Sequence, residues 1–174
     1  MSDVLTIKLK PYLQEYLTCK LGDPVTASTR NIVGALMRPL LQYRPKDVDH
    51  EFIDGPEYIK INLREFDFID IRSGTVWMHP DNQAIFEKQL DAHFKDIFMS
   101  YMNDKVRYSL LDRKGKVIRN GQIKNIILQF CSDYNITFKS ITYEMLKKYY
   151  YRKSQEFEKK SPRKMSLLCP LLFL

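Results

Sequence analysis

The chain has 174 residues, 44% hydrophobic and 13% aromatic, and its ten Phe and eleven Tyr exclude a wholly disordered protein, which lacks enough apolar surface to offset ordering entropy. Its net charge of +7 conceals an asymmetry: residues 1–104 carry 12 Lys and Arg against 16 Asp and Glu, whereas 105–164 carry 16 against 5. An acidic first part joined to a basic, aromatic-interleaved second part suits a molecule whose C-terminal end meets a polyanion, with nucleic acid the leading partner.

The segment VLTIKLK, 4–10, alternates apolar and polar residues and predicts a strand ended by Pro11. A helix follows, with Tyr12, Leu13, Tyr16, Leu17 and Leu21 at helical spacing, Pro11 in its first turn and Gly22 at its end. Asp23-Pro24 marks a turn. Ser28 or Thr29 is placed to cap a second helix through Ile32, Val33, Leu36, Met37, Leu40 and Leu41, kinked or frayed at Pro39. Tyr43 to Pro56 is loop-like, and 58–72 predicts two short strands with a slip of register, closed by Gly74. From Pro80, an apolar stripe through Ile85, Phe86, Leu90, Phe94, Ile97, Phe98, Tyr101 and Met102 predicts a long helix, with Asp81 at its start and Lys105 and Arg107 at its end, as the helix dipole favours. RKGK, 113–116, makes a basic turn before two further helices at about 120–134 and 140–159.

The first of these last helices is amphipathic through Ile123, Ile126, Ile127, Phe130 and Cys131; a break at Tyr134-Asn135, an apolar anchor at Ile136 and a second helix capped by Ser140 follow. Phe130, Cys131, Asn135, Ile136 and Ile141 stand at a spacing that resembles the helix-turn-helix of DNA-binding proteins, with Asn135 in place of the commoner turn glycine. The next apolar position of that pattern falls on Glu144, beside Met145, and the resemblance covers about 25 residues. It implies that the second helix enters the major groove of double-stranded DNA, with Lys139, Ser140, Thr142 and Tyr143 near base edges. Lys147, Lys148, Arg152 and Lys153 would then lie near phosphates. Of Tyr149, Tyr150 and Tyr151, one or two pack inward, and Tyr150 is expected to reach the nucleic acid.

Catalytic readings are weaker. A tyrosine nucleophile for DNA cleavage needs accompanying His and Arg, yet His50, His79 and His93 form no HxH or HxxR pattern. Asp54, Glu57, Glu65, Asp67 and Asp70 lack the alignment of a two-metal nuclease site and read as strand-edge charges. Three widely spaced cysteines, Cys19, Cys131 and Cys169, are neither a disulfide framework nor a zinc site. No metal or cofactor is expected, and the absence of a leader-like run in MSDVLTIKLK makes a reducing cytoplasm the expected compartment. The tail MSLLCPLLFL is apolar but too short for a span of about 20 residues, so no membrane partner is expected. Fold-back of that tail, or a sequence accident, is the preferred reading.

The expected architecture is therefore α+β. It comprises an N-terminal part at 1–78 that dimerises or contacts protein, a long connecting helix at 79–108, a basic hairpin at 118–160, and a linker with apolar tail at 161–174. The expected function is non-enzymatic DNA binding, as a small transcriptional regulator or an accessory protein of a phage or mobile element. The alternative is a structural adaptor whose basic hairpin docks on an acidic protein.

Overall fold

The alternation near the N-terminus forms β1 (Val4–Lys8), whose core side continues through the buried Ile7 and Leu9. The computed structural model describes residues 4–45, 55–65, 76–109 and 121–160. Helix α1 (Pro11–Leu21) has proline in its first turn, where a missing N–H leaves no intrahelical bond unmade. It stops at Gly22, whose φ of 84° is the left-handed backbone that favours glycine. Tyr12, Leu13, Tyr16 and Leu17 form its buried stripe.

A strand that the sequence did not announce follows, β2 (Val25–Ser28). Four residues are too few to display an alternation, yet Val25 and Ala27 are fully buried. Helix α2 (Ile32–Met37) is shorter than the apolar spacing predicts, and its cap is Asn31 rather than Ser28 or Thr29. The Asn31 carboxamide accepts from the Gly34 N–H at 2.9 Å and donates to the Thr26 carbonyl at 2.8 Å. Because Pro39 has no N–H to continue the α-helical ladder, the chain tightens into a 3-10 turn over Arg38–Leu40. Gly34 allows α2 to lie directly on β2, since a Cβ there would overlap the Ser28 backbone.

The long strand β4 (Tyr58–Glu65) sits at the centre of a three-stranded sheet of order β1-β4-β2. β1 runs antiparallel to it with Val4 opposite Asn62, and β2 runs parallel with Val25 opposite Ile61. The first of the two strands expected over 58–72 forms up to Glu65; the second, with the expected register slip and Gly74, falls on 66–75, outside the described residues. Within the expected loop, β3 (Gln42–Tyr43) pairs antiparallel with β5 (Val76–Trp77). The Trp77 ring meets His79 edge-on, with centroids 5.4 Å apart.

Helix α3 (Pro80–Ser109) buries Phe86, Leu90, Phe94, Phe98 and Met102 completely, a stripe at four-residue spacing. Each such side chain contributes roughly 1.5–3 kcal/mol by leaving water. Ile85, placed on that stripe by the sequence, is 44% exposed, one step off the buried line. Helices α4 (Gly121–Asp133) and α5 (Tyr143–Lys160) complete the α+β fold. A single core runs from Ile7 to Tyr150, drawing on the sheet and all three C-terminal helices. At its centre Phe94 meets Tyr12, Tyr16 and Phe130, and Phe98 meets Phe130, with ring centroids 5.0–5.8 Å apart. Far from merely connecting two parts, α3 is the element on which both pack.

Candidate nucleic-acid interface

Helix α4 ends as its sequence predicts. Asn135 takes up left-handed backbone with φ 51°, the Ile136 N–H donates to the Cys131 carbonyl at 2.8 Å, and the Asn135 N–H donates to Ser132. This is a Schellman ending, with Ile136 and Cys131 buried as its apolar pair. Burial, reinforced by the Glu15 carboxylate, pushes the Cys131 thiol up to about 11, so it stays protonated and packs as a small apolar group.

After Ile136 the chain departs from expectation. A further turn forms as the Ser140 and Ile141 N–H groups donate to Thr137, and α5 starts only at Tyr143. Its cap is Thr142, whose Oγ1 accepts from the Met145 N–H at 3.3 Å, rather than Ser140. Nine residues, 134–142, thus join the two helices, against about three or four in a helix-turn-helix.

That long link is anchored to α1, an interaction with no local sequence signal because its partners are over 120 residues apart. The Glu15 carboxylate accepts from the Thr137 N–H at 2.9 Å and from the Thr137 hydroxyl at 2.7 Å. The Ser140 hydroxyl lies 2.6 Å from the same carboxylate and 2.7 Å from the Thr137 carbonyl, one O–H shared between two acceptors. Beside this clamp the Tyr16 and Tyr134 rings are 5.5 Å apart, and Lys20 Nζ sits 4.4 Å from the Tyr134 ring centre.

The sequence-predicted site residues fall into four groups. Lys139, Ser140 and Thr142 are on the link, not on the second helix; Lys139 and Thr142 are exposed, whereas Ser140 is engaged by Glu15. Tyr143, Lys147 and Lys153 are half-buried on α5: Lys147 lies over the Tyr143 ring and 3.7 Å from Glu144, and Lys153 is 2.8 Å from Glu156. Lys148 and Arg152 are exposed, with no carboxylate at salt-bridge distance among the described residues. Tyr150 is corrected outright: it is buried in line with Leu146, four residues earlier, so it faces the core and not a ligand. Its neighbour Tyr151, 38% exposed and three residues from Lys148, takes the outward position. Helical spacing from Lys148 would have selected it. Tyr149 packs sideways, 6.4 Å from Phe98 and 5.7 Å from Lys95 Nζ.

Several carboxylates of the acidic first part are, by contrast, tied into the fold. Asp91 accepts from the Tyr12 hydroxyl at 2.6 Å and from Lys95 at 2.5 Å. Burial alone would raise the Asp91 pKa, but the hydrogen bonds from Lys95 and Tyr12 outweigh it and hold the carboxyl below its usual range. Tyr12 moves the other way, its pKa raised by burial and then by the Asp91 hydrogen bond. Glu87 accepts from the Lys10 N–H at 3.0 Å, and in the basic second part Asp133 accepts from the Tyr101 hydroxyl at 2.6 Å.

Of the carboxylates weighed for catalysis, Glu57 pairs with Lys8 at 2.6 Å, and Asp54, Asp67 and Asp70 lie outside the described residues, as does His50. His79 accepts from the Asp81 N–H, and His93 is half-buried near Tyr16. Among the described residues no group of three or more His, Cys, Asp or Glu is placed to hold a metal ion, and no helix is long and apolar enough to cross a membrane. Comparisons with protein-family models, curated proteins and solved structures return no match.

Proposed function

We propose that this is a non-enzymatic DNA-binding protein that makes its contact through the basic C-terminal hairpin. The observation that carries the reading is the outward face of α5, where Lys148 and Arg152 stand exposed beside Tyr151 with no carboxylate at salt-bridge distance among the described residues. Cations already paired within the fold gain little from a phosphate, because one partner is exchanged for another; unpaired ones supply sequence-independent, salt-sensitive affinity. Lys139 on the link adds a third exposed cation. A role as regulator or accessory factor of a mobile element follows as the biological setting of such a protein, with the N-terminal sheet region available for self-association or protein contact.

A second reading has its own support. Met145, 58% exposed on the same helix, gives the face an apolar element that an acidic amphipathic peptide would use. Fluorescence-anisotropy titration of labelled random-sequence DNA, duplex and single-stranded, at several salt concentrations separates the two. Salt-dependent binding that is lost in a Lys148→Glu/Arg152→Glu variant supports DNA binding; absence of binding to either form at low salt leaves the adaptor reading in its place.

A further inference from the structure

The N-terminal end of α5 and its flank offer a ligand different chemistry. At the end, the Ser140 hydroxyl is held by Glu15 and the Thr137 carbonyl, and the Thr142 hydroxyl caps the helix. Glu144, its side chain 61% exposed, sets a carboxylate in the first turn. Of the groups expected near base edges, Ser140 and Thr142 are therefore engaged and Tyr143 lies half-buried beneath Lys147, while the exposed Lys139 is followed by the Glu144 carboxylate, which repels approaching phosphates. Farther along, Lys148 and Arg152 are four residues apart, which puts them on one face about 6 Å from each other along the axis. Beside them Tyr151, 38% exposed, rests against the buried Tyr150, centroids 5.6 Å apart and planes at 61°. That backing orients the exposed ring before any ligand arrives.

We infer that the flank of α5, not its tip, is the contact surface, and that its ligand is unpaired, single-stranded nucleic acid. Lys148 and Arg152 follow one sugar-phosphate backbone while a base stacks on Tyr151. In a duplex interior the base faces are covered by their neighbours, so the tyrosine has nothing to stack on; an unpaired strand offers one at every nucleotide. This inference rests on the nucleic-acid reading above and specifies its ligand.

The test compares a labelled oligothymidylate with a duplex of the same length by anisotropy at low salt. The single strand binds more tightly; Tyr151→Ala weakens it roughly tenfold and leaves duplex binding unchanged, whereas Tyr151→Phe matches the wild type. Lys148→Ala lowers the magnitude of the slope of log K against log salt by about 0.7 on the single strand. Thermal unfolding of each variant checks that these surface substitutions leave the fold intact. Tighter binding to duplex, or a single-strand affinity indifferent to Tyr151→Ala, overturns the inference while leaving nucleic-acid binding standing. Failure of both forms to bind removes both.

Discussion

The α4–α5 link and the outward flank of α5 are adjacent, and each offers an exposed lysine, a hydroxyl and an exposed aromatic. The link's hydroxyls are engaged within the fold, since Glu15 gathers Thr137 and Ser140 and Thr142 caps the helix, and Lys139 is the charged group it leaves exposed. On the flank, Lys148, Tyr151 and Arg152 have no such engagement with the described remainder of the fold. Residue type states which interactions are possible; only tertiary placement decides which groups are left over for a partner. The charge asymmetry has the same lesson, since several carboxylates of the acidic first part hold the fold together.

The contrast depends on a common support, and removing that support has the largest effect. Phe130 is fully buried and touches the rings of Phe94, Phe98, Tyr101 and Tyr134. Phe130→Ala is expected to cost about 3–5 kcal/mol, a fall in Tm of roughly 10 °C in thermal unfolding, and to loosen link and flank together.

Breaking the link alone is the intermediate case. Glu15→Ala leaves the Thr137 N–H and hydroxyl without their acceptor, while the Ser140 hydroxyl keeps the Thr137 carbonyl, at a cost of about 1–3 kcal/mol. Glu15→Gln keeps one acceptor oxygen and costs less. Hydrogen exchange should show the Thr137 amide losing protection in Glu15→Ala, with the amides of mid-α5 little changed; equal loss throughout α5 would show that link and flank are one unit.

The smallest effect sharpens the point about carboxylates. Asp91 is held below its usual pKa in the fold, so its stabilising contribution is present above the unfolded-chain value near 4 and is lost as pH falls through the folded value. Stability should decline from about pH 4 downward, with a flatter decline in Asp91→Asn, measured by thermal unfolding between pH 2 and 6. Tyr12, raised in the fold, contributes stability that is full below its ordinary value near 10 and fades at higher pH. Tyr12→Phe should flatten that alkaline limb.

Much of this architecture was legible in the residues themselves. Pro11, Gly22 and Asn135 punctuate helices where their backbone preferences require, and the four-residue spacing of Phe86, Leu90, Phe94 and Phe98 announced α3. β2 was not legible, because four residues carry no period and the strand owes its existence to β4 beside it and Gly34 above. Within the candidate site, Lys148 and Arg152 followed from charge and helical spacing. Ser140 and Tyr150 misled for one physical reason: each bears a functional group whose partner, Glu15 or the core, is set by contacts distant in sequence. Tyr151 differed from Tyr150 only by one helical step of about 100°, and a one-residue choice of register decided it.

The chain's one tryptophan, Trp77, stands in the β3–β5 corner beside His79, away from the aromatic centre built by Phe94, Phe98 and Phe130 around the tyrosines. Its emission therefore reports on that corner, while near-ultraviolet dichroism also carries the tyrosines packed at the helical centre. The molecule thus carries two optical reporters at separate places without any label. Superimposable melting curves from the two would mean that corner and helices unfold in one cooperative step, whereas an earlier emission change would mark the corner as a separately opening unit.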